Sequence, residues 1–152
     1  MAKDCEMNDF IDMSIQVAKI DAEIVQCYAV LSQLRPHIQQ KSFLEQVRRQ
    51  QQNGHQIVYL KKDHQVVAVA VFCISECFAC GRFLHVYDLV VDERLRSQGY
   101  GHQLFVWLVD YAKLHDCTEL SLDSGVQRFE AHRFYLHHQM NISGHHFSLS
   151  LT

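Results

Sequence analysis

Apolar positions recur along this chain with two periods, and each change of period predicts a change of element. Ser14-Ile15-Gln16-Val17-Ala18 alternates and predicts a first strand. Residues 1–12 ahead of it read as a loose lead-in. Ile24, Cys27, Tyr28, Leu31 and Leu34 fall at helical spacing, and Pro36 follows as a stop. Ser42-Phe43-Leu44-Glu45 has the form of a capping box and predicts a second helix ending near Asn53-Gly54. Ile57 to Leu60 and Val66 to Phe72 are β-branched and apolar, with Lys62-Asp63-His64 between them as a hairpin turn. A loop from Ser75 to Gly81 leads to a third strand of the meander, Phe83 to Val91.

Helical spacing then returns. Leu104, Leu108, Tyr111 and Ala112 or His115 mark the inner face of a long helix, extended by Phe105 and Trp107. A short strand follows over Glu119 to Leu122. Asp123-Ser124-Gly125 breaks it and opens another helix, about Val126 to His138. Phe147, Leu149 and Leu151 alternate and predict a final strand. The order is strand, two helices, three strands, helix, strand, helix, strand. That is a mixed α/β sheet rather than a regular βαβ repeat. No repeat, low-complexity tract or linker divides the chain, so a single domain over residues 1–152 is expected.

The most specific chemistry lies between the third meander strand and the long helix. The loop reads Arg96-x-x-Gly99-x-Gly101. Glycines let a backbone turn sharply and approach a ligand. The first amides of a helix have no partners of their own, and the helix dipole adds to their attraction for phosphate. Two common nucleotide loops are excluded. A dinucleotide fingerprint needs a third glycine where Leu104 stands, and a P-loop needs Gly-Lys-Ser/Thr where Gly101-His102-Gln103 stands.

Bulk properties narrow the class further. The chain of 152 residues is 48% hydrophobic and 20% charged, values of a globular domain. Its formal net charge of -3 leaves no basic footprint for nucleic acid. No apolar run reaches the ~18 residues of a membrane span, and the acidic N-terminus is unlike a signal peptide. A cytoplasmic protein is expected, with its six cysteines as free thiols. Cys73-x3-Cys77-x2-Cys80 lacks the paired spacing of zinc sites, so no metal is expected there. The eleven histidines are scattered.

The Arg96-x-x-Gly99-x-Gly101 loop, set between strand and helix, resembles the acyl-coenzyme A signature of the GNAT superfamily of N-acetyltransferases. A second segment, Ala131-His132-Arg133-Phe134-Tyr135, is similar to that superfamily's Ala-x-x-Phe/Leu-Tyr, in the right order and at about the right distance. The resemblance is specific over about residues 83–136 and rests on element order elsewhere. It implies the GNAT fold: a central mixed, mostly antiparallel sheet, splayed between the third meander strand and the following parallel strand, and flanked by four helices. It implies acetyl-CoA as co-substrate and an amine as acceptor.

By the same resemblance, Tyr135 protonates the departing thiolate. Backbone groups of Leu89, Val90 and Val91, near a β-bulge in the third meander strand, take the pantetheine arm and the acetyl oxygen. The amides of Ser97, Gln98, Gly99, Tyr100, Gly101 and His102 surround the pyrophosphate, and Arg96 adds charge. Two departures stand out. Arg128 replaces a frequent asparagine and can reach a phosphate or the pantetheine arm, or lie in solvent. Gln139-Met140 replaces the usual Gly-Phe, leaving the following turn undefined.

Acetyl transfer to an amine requires a neutral amine, and a lysine-like group with a pKa near ~10.4 is only about one part in a few thousand neutral at pH 7. A base or a water relay must remove its proton. His85 and Asp88 are the two candidates. In a regular strand His85, Tyr87 and Leu89 share one face and Val86, Asp88 and Val90 the other, unless a bulge intervenes. By the resemblance, some family members place a catalytic glutamate where His85 lies, and His85 and Asp88 stand level as base or relay. The leading reading is an acetyl-CoA-dependent N-acetyltransferase acting by direct attack in a ternary complex. The alternative is a coenzyme A-binding module with little turnover. A metal-binding redox or regulatory protein built on Cys73, Cys77 and Cys80 is a third. The acceptor is a small amine or a peptide or protein amine. Asp21, Glu23 and Glu45 are acids able to attract it, or a solvated helix face. Homodimers are common in the family, so a homodimer is among the expectations.

Overall fold

The computed structural model describes residues 12–152. All but Asp12 of the expected lead-in therefore lies outside the described residues. Two compact units are present, the first ending at Ser121 and the second spanning Leu122–Thr152.

The first unit is built on a sheet with strand order β1-β2-β3-β4-β5. β1 (Met13–Val17), β2 (His55–Lys62), β3 (Gln65–Cys77) and β4 (Gly81–Val91) pair antiparallel in succession. The short β5 (Glu119–Leu122) follows beside β4. Asp63 and His64 join β2 to β3 with φ of 48° and 65°. Two left-handed residues make the tightest turn that matches the strand twist.

β3 runs five residues beyond its expected end at Phe72. Its apolar run, buried from Val66 to Cys73, is continuous because helices cover both faces of the sheet. On one face lie α1 (Asp21–Gln26), α2 (Tyr28–Leu34) and α3 (Gln40–Gln52). Their Ile24, Val30, Leu31, Phe43 and Val47 pack with Ile57, Tyr59, Val69, Val71 and Val90. On the other face α4 (Tyr100–Leu114) buries Leu104, Leu108 and Ala112, one helical turn apart each time. Trp107 and Tyr111 of α4 meet Phe72 edge-on, at 6.1 and 5.2 Å between ring centroids. A fully buried side chain such as Phe72 or Leu104 stabilises the fold by about 1.5–3 kcal/mol over an exposed one.

The helix expected to start near Ile24 is broken at Cys27, so the described residues hold five α-helices rather than the expected four. Cys27 keeps helical dihedrals, and its thiol donates to Glu23 O at 3.2 Å. The capping box expected at Ser42 does not form. α3 begins two residues earlier, at Gln40, and Ser42 Oγ turns back to Gln39 O. Glu45 is drawn away into an ion pair with Arg49, one turn on.

The second unit holds α5 (Phe129–His137), which begins three residues later than expected. Its C-terminal turn is well defined despite the missing glycine. Gln139 takes the left-handed conformation (φ 63°). Gln139 N donates to Leu136 O at 3.0 Å and Met140 N to Tyr135 O at 3.1 Å. This is a Schellman cap with glutamine in glycine's place. Gln139→Gly is expected to raise stability by up to about 1 kcal/mol by removing the Cβ strain, read as a shift in the denaturant midpoint.

The final strand expected through Phe147, Leu149 and Leu151 is not present. Residues 141–152 carry no regular structure, and those three side chains are 84–89% exposed. Alternation states which side chains would share a face, but a strand also needs a partner for its backbone.

Candidate active site

β4 decides the geometry. Val71 of β3 pairs with Asp88, while Phe72 pairs with Val86, which leaves Tyr87 as an extra residue. This is the bulge that the family resemblance implied. It also revises the facing of the strand. Beyond Tyr87 the alternation is shifted, so Asp88 and Val90 join His85 on the face covered by α1–α3. Leu89 and Val91 join Leu84 and Val86 on the α4 face. The Tyr87 ring contacts both His55 and His85, at 4.6 and 4.7 Å between centroids.

β5 accompanies only the first half of β4. Thr118 N donates to Arg82 O at 2.8 Å, and His85 Nδ1 lies 3.0 Å from Ser121 Oγ. From the bulge to Val91 no strand lies on that edge among the described residues. Asp92 N donates to Val67 O at 2.8 Å, in register with Val90 opposite Val69. In an antiparallel ladder the backbone groups of alternate residues face the same neighbour. Val90 therefore turns its N–H and C=O to β3, whereas Leu89 and Val91 turn theirs to the open edge.

Asp92, which sequence reasoning missed, fixes the start of the phosphate loop. Its side chain is 2% exposed. It accepts from Arg94 N at 3.1 Å and from the Arg94 guanidinium, with Nη2 at 2.8 Å from Oδ2. The Arg94 guanidinium holds the Asp92 carboxyl down to about 2, and the Arg94 amide and Gln33 act in the same direction against burial. Gln33 Oε1 of α2 also accepts from Glu93 N at 2.9 Å. The 3₁₀ turn Glu93–Leu95 is thereby fastened to the core. An aspartate directly after an apolar strand was the available signal, since aspartate accepts from the amides that open a helical turn.

Arg96, Ser97, Gln98 and Gly99 are exposed. Ser97 (φ 63°) and Gly99 (φ 85°) adopt left-handed backbone. A Cβ on Gly99 would meet nothing within 4 Å, so backbone conformation, not space, selects glycine there. The first bond of α4 runs from Gln103 N to Gly99 O at 3.0 Å. Among the described residues, the amides of Ser97, Gln98, Gly99, Tyr100 and Gly101 donate to no protein acceptor. His102, in the same first turn, is exposed. Tyr100 is buried and anchors the helix start. Lys62 Nζ donates to the Tyr100 hydroxyl at 2.8 Å, which brings a cation that sequence reasoning missed close to the loop. Lys62 stands far off in sequence, so no local pattern announces it.

Asp88 Oδ1 accepts from Arg35 Nε at 2.7 Å. Asp21 is paired with Arg48, Glu45 with Arg49, and Glu23 accepts from Lys19 N and Ile20 N at 2.7 and 3.1 Å. The three acids thus serve local structure. In the second unit, Tyr135 lies on α5, and Arg128 is the residue that caps it. Burial pushes the Tyr135 phenol up, with the Arg128 charge pulling it down. Cys77 and Cys80 come together at the β3–β4 turn, whereas Cys73 is buried in β3. No cluster of three or more metal-ligating side chains is found among the described residues. No helix there is long and apolar enough to cross a membrane.

Residues 21–139 match the Acetyltransferase (GNAT) family, well over half of the chain. The chain is 29% identical over 114 residues to an uncharacterized N-acetyltransferase, YhdJ, of Bacillus subtilis (strain 168), covering 74% of this chain and 80% of that one. Among solved structures it is similar to the aminoglycoside N-acetyltransferase AAC(6')-Iy in complex with CoA. The TM-score is 0.81 at 13% identity, over 92% of this chain and 95% of that one. It is also similar to glucosamine-6-phosphate N-acetyltransferase of Arabidopsis thaliana, with a TM-score of 0.69 at 22% identity over 91% and 99%. The family match spans residues 21–139, and the chain belongs to the GNAT acetyltransferase family of acetyl-CoA-dependent acyltransferases.

Proposed function

We propose that the chain transfers an acetyl group from acetyl-CoA to a primary amine by direct attack, with both substrates bound together. The observation that carries this reading is the run of unpaired amides from Ser97 to Gly101, beside the outward-facing backbone of Leu89 and Val91. The amides suit a pyrophosphate, joined by the His102 turn and by charge from Arg96 and Lys62. The open edge of β4 suits the amide groups of a pantetheine arm, which can add to it as a strand would. Val90 contributes through its buried side chain and its bond to β3. Arg128 supplies a further cation to the coenzyme.

Acetyl-CoA supplies an activated thioester. The chain's own groups hold it, neutralise the amine and return a proton to the thiolate. Tyr135 is the proposed acid, and its raised phenol keeps its proton at neutral pH, as that role requires. His85 is the proposed base. It stands one residue before the bulged segment, and Ser121 Oγ at 3.0 Å fixes its ring. Asp88, on the same face but held by Arg35, is the proposed water relay. The acceptor is a small, peptide or protein amine.

Initial velocities with varied acetyl-CoA and a panel of primary amines test the mechanism, with free thiol as the readout. Intersecting double-reciprocal lines are expected. Parallel lines would mean that an acetyl-enzyme forms first. Tight coenzyme A binding without thiol release for any amine would support the module with little turnover.

A further inference from the structure

The turn from β3 to β4 carries chemistry that acetyl transfer does not use. Cys77 ends β3, Gly81 opposite it begins β4, and Phe78, Ala79 and Cys80 form the turn between. The two sulfurs, Cys77 Sγ and Cys80 Sγ, are 3.1 Å apart. Gly81 supplies the left-handed residue that closes the turn, at φ 73°. Thr118 Oγ1 lies 2.6 Å from Cys80 O and 3.0 Å from Arg82 O, so the β5 end holds the turn in place. Arg82 Nε donates to His115 O at 2.7 Å on the same side. The thiols therefore meet on a braced backbone, which lowers the entropy cost of joining them.

The pair is accessible and unequal. Cys77 is exposed and Cys80 half-buried, while Cys27 and Cys73 are buried. The Cys80 thiol and the backbone amides of Cys80 and Ala79 hold the Cys77 thiol below its ordinary value. Cys80 is pushed up to about 11, chiefly by its contact with the Cys77 sulfur and then by burial. Burial pushes Cys27 up to about 12 and Cys73 upward as well. Thiolate character and access together select Cys77 as the first sulfur to react.

We propose that Cys77 and Cys80 form a redox-active dithiol site that exchanges with low-molecular-weight disulfides. The Cys77 thiolate, its proton given to solvent, attacks one sulfur of the small disulfide. A mixed disulfide forms, and the other half leaves as a thiolate that takes up a proton. Cys80 then loses its proton and attacks the Cys77 sulfur, and the second small thiol departs and is protonated. Two protein thiols and one small disulfide become one Cys77–Cys80 disulfide and two small thiols. The protein sulfurs are oxidised by two electrons and the small disulfide is reduced.

The intact chain is incubated with oxidised glutathione, quenched in acid and mapped by peptide mass spectrometry. A Cys77–Cys80 disulfide is expected, with two glutathiones released per chain and full reversal by dithiothreitol. Cys80→Ser should stop at a glutathione adduct on Cys77. Cys77→Ser should slow reaction at Cys80 several-fold, to no faster than Cys117. Circular dichroism of each variant reports folding, and the turn is exposed enough to accept serine. A stable glutathione adduct on Cys77 of the unsubstituted chain, or reaction at Cys77 no faster than at Cys117, would overturn the proposal. Neither result bears on acetyl transfer.

Discussion

Tyr135→Phe is expected to lower kcat by about 10²- to 10⁴-fold, the span of a lost general acid or base, with coenzyme A affinity unchanged. The substitution removes one oxygen and keeps the ring, so α5 keeps its packing. The phenol of Tyr135 is raised by burial and so remains protonated across the neutral range. A residue that only packs loses little when its hydroxyl is removed, whereas a proton donor to a departing thiolate loses the step itself. The loss corresponds to about 3–5 kcal/mol of barrier. Steady-state rates together with calorimetric coenzyme A binding make the comparison. Equal loss of rate and affinity would instead assign Tyr135 to binding, and no loss of either would return it to the core.

Asp92→Ala is expected to cost about 2–3 kcal/mol of stability and to weaken coenzyme A binding at the same time. Hydrogen bonds to a charged group contribute roughly 1.5–3 kcal/mol, and Asp92 accepts from both the amide and the guanidinium of Arg94. Arg94 is 69% exposed and rehydrates when its partner is lost, which keeps the cost below that of a buried pair. The damage spreads because the turn Glu93–Leu95 leads straight into the loop of Arg96 to Gly101. Asp92→Asn keeps the shape and one acceptor and should fall between. The pH dependence follows the same carboxylate. Its folded value of about 2 lies below the ~3.9 of an unfolded aspartate. The stabilisation is therefore complete above about pH 4 and lost as pH falls toward 2. Denaturant midpoints near pH 7 and pH 3 should differ less in Asp92→Ala than in the unsubstituted chain.

The sequence made some levels of this structure legible and hid others, for identifiable reasons. The helix face of Leu104, Leu108 and Ala112 follows from period alone, because one side of α4 meets the sheet. The strands β2 to β4 were visible as β-branched runs, but their ends were not. Ladder pairing carries β3 on to Cys77 once β4 lies beside it. The exposed residues of the glycine loop were legible because glycine and left-handed backbone are local matters. Lys62 and Arg35 were not, since their partners Tyr100 and Asp88 come from other elements, whereas Asp92 carried a local signal, an aspartate directly after an apolar strand. The shifted face of Asp88 needed the position of the bulge, which no single strand encodes. Ser42 and Phe147 show the opposite failure. Their local patterns are sound, but an earlier helix start and the lack of a pairing strand among the described residues decide the outcome.

The central claim is that the amides from Ser97 to Gly101 take the diphosphate of the acyl carrier. Amide-resolved NMR during a coenzyme A titration tests it most directly. The account predicts that the resonances of Ser97, Gln98, Gly99, Tyr100 and Gly101 move to lower field together, saturate with coenzyme A and gain protection from exchange. Saturable binding of coenzyme A that leaves those five amides unmoved, with the shifts gathered elsewhere, would contradict it.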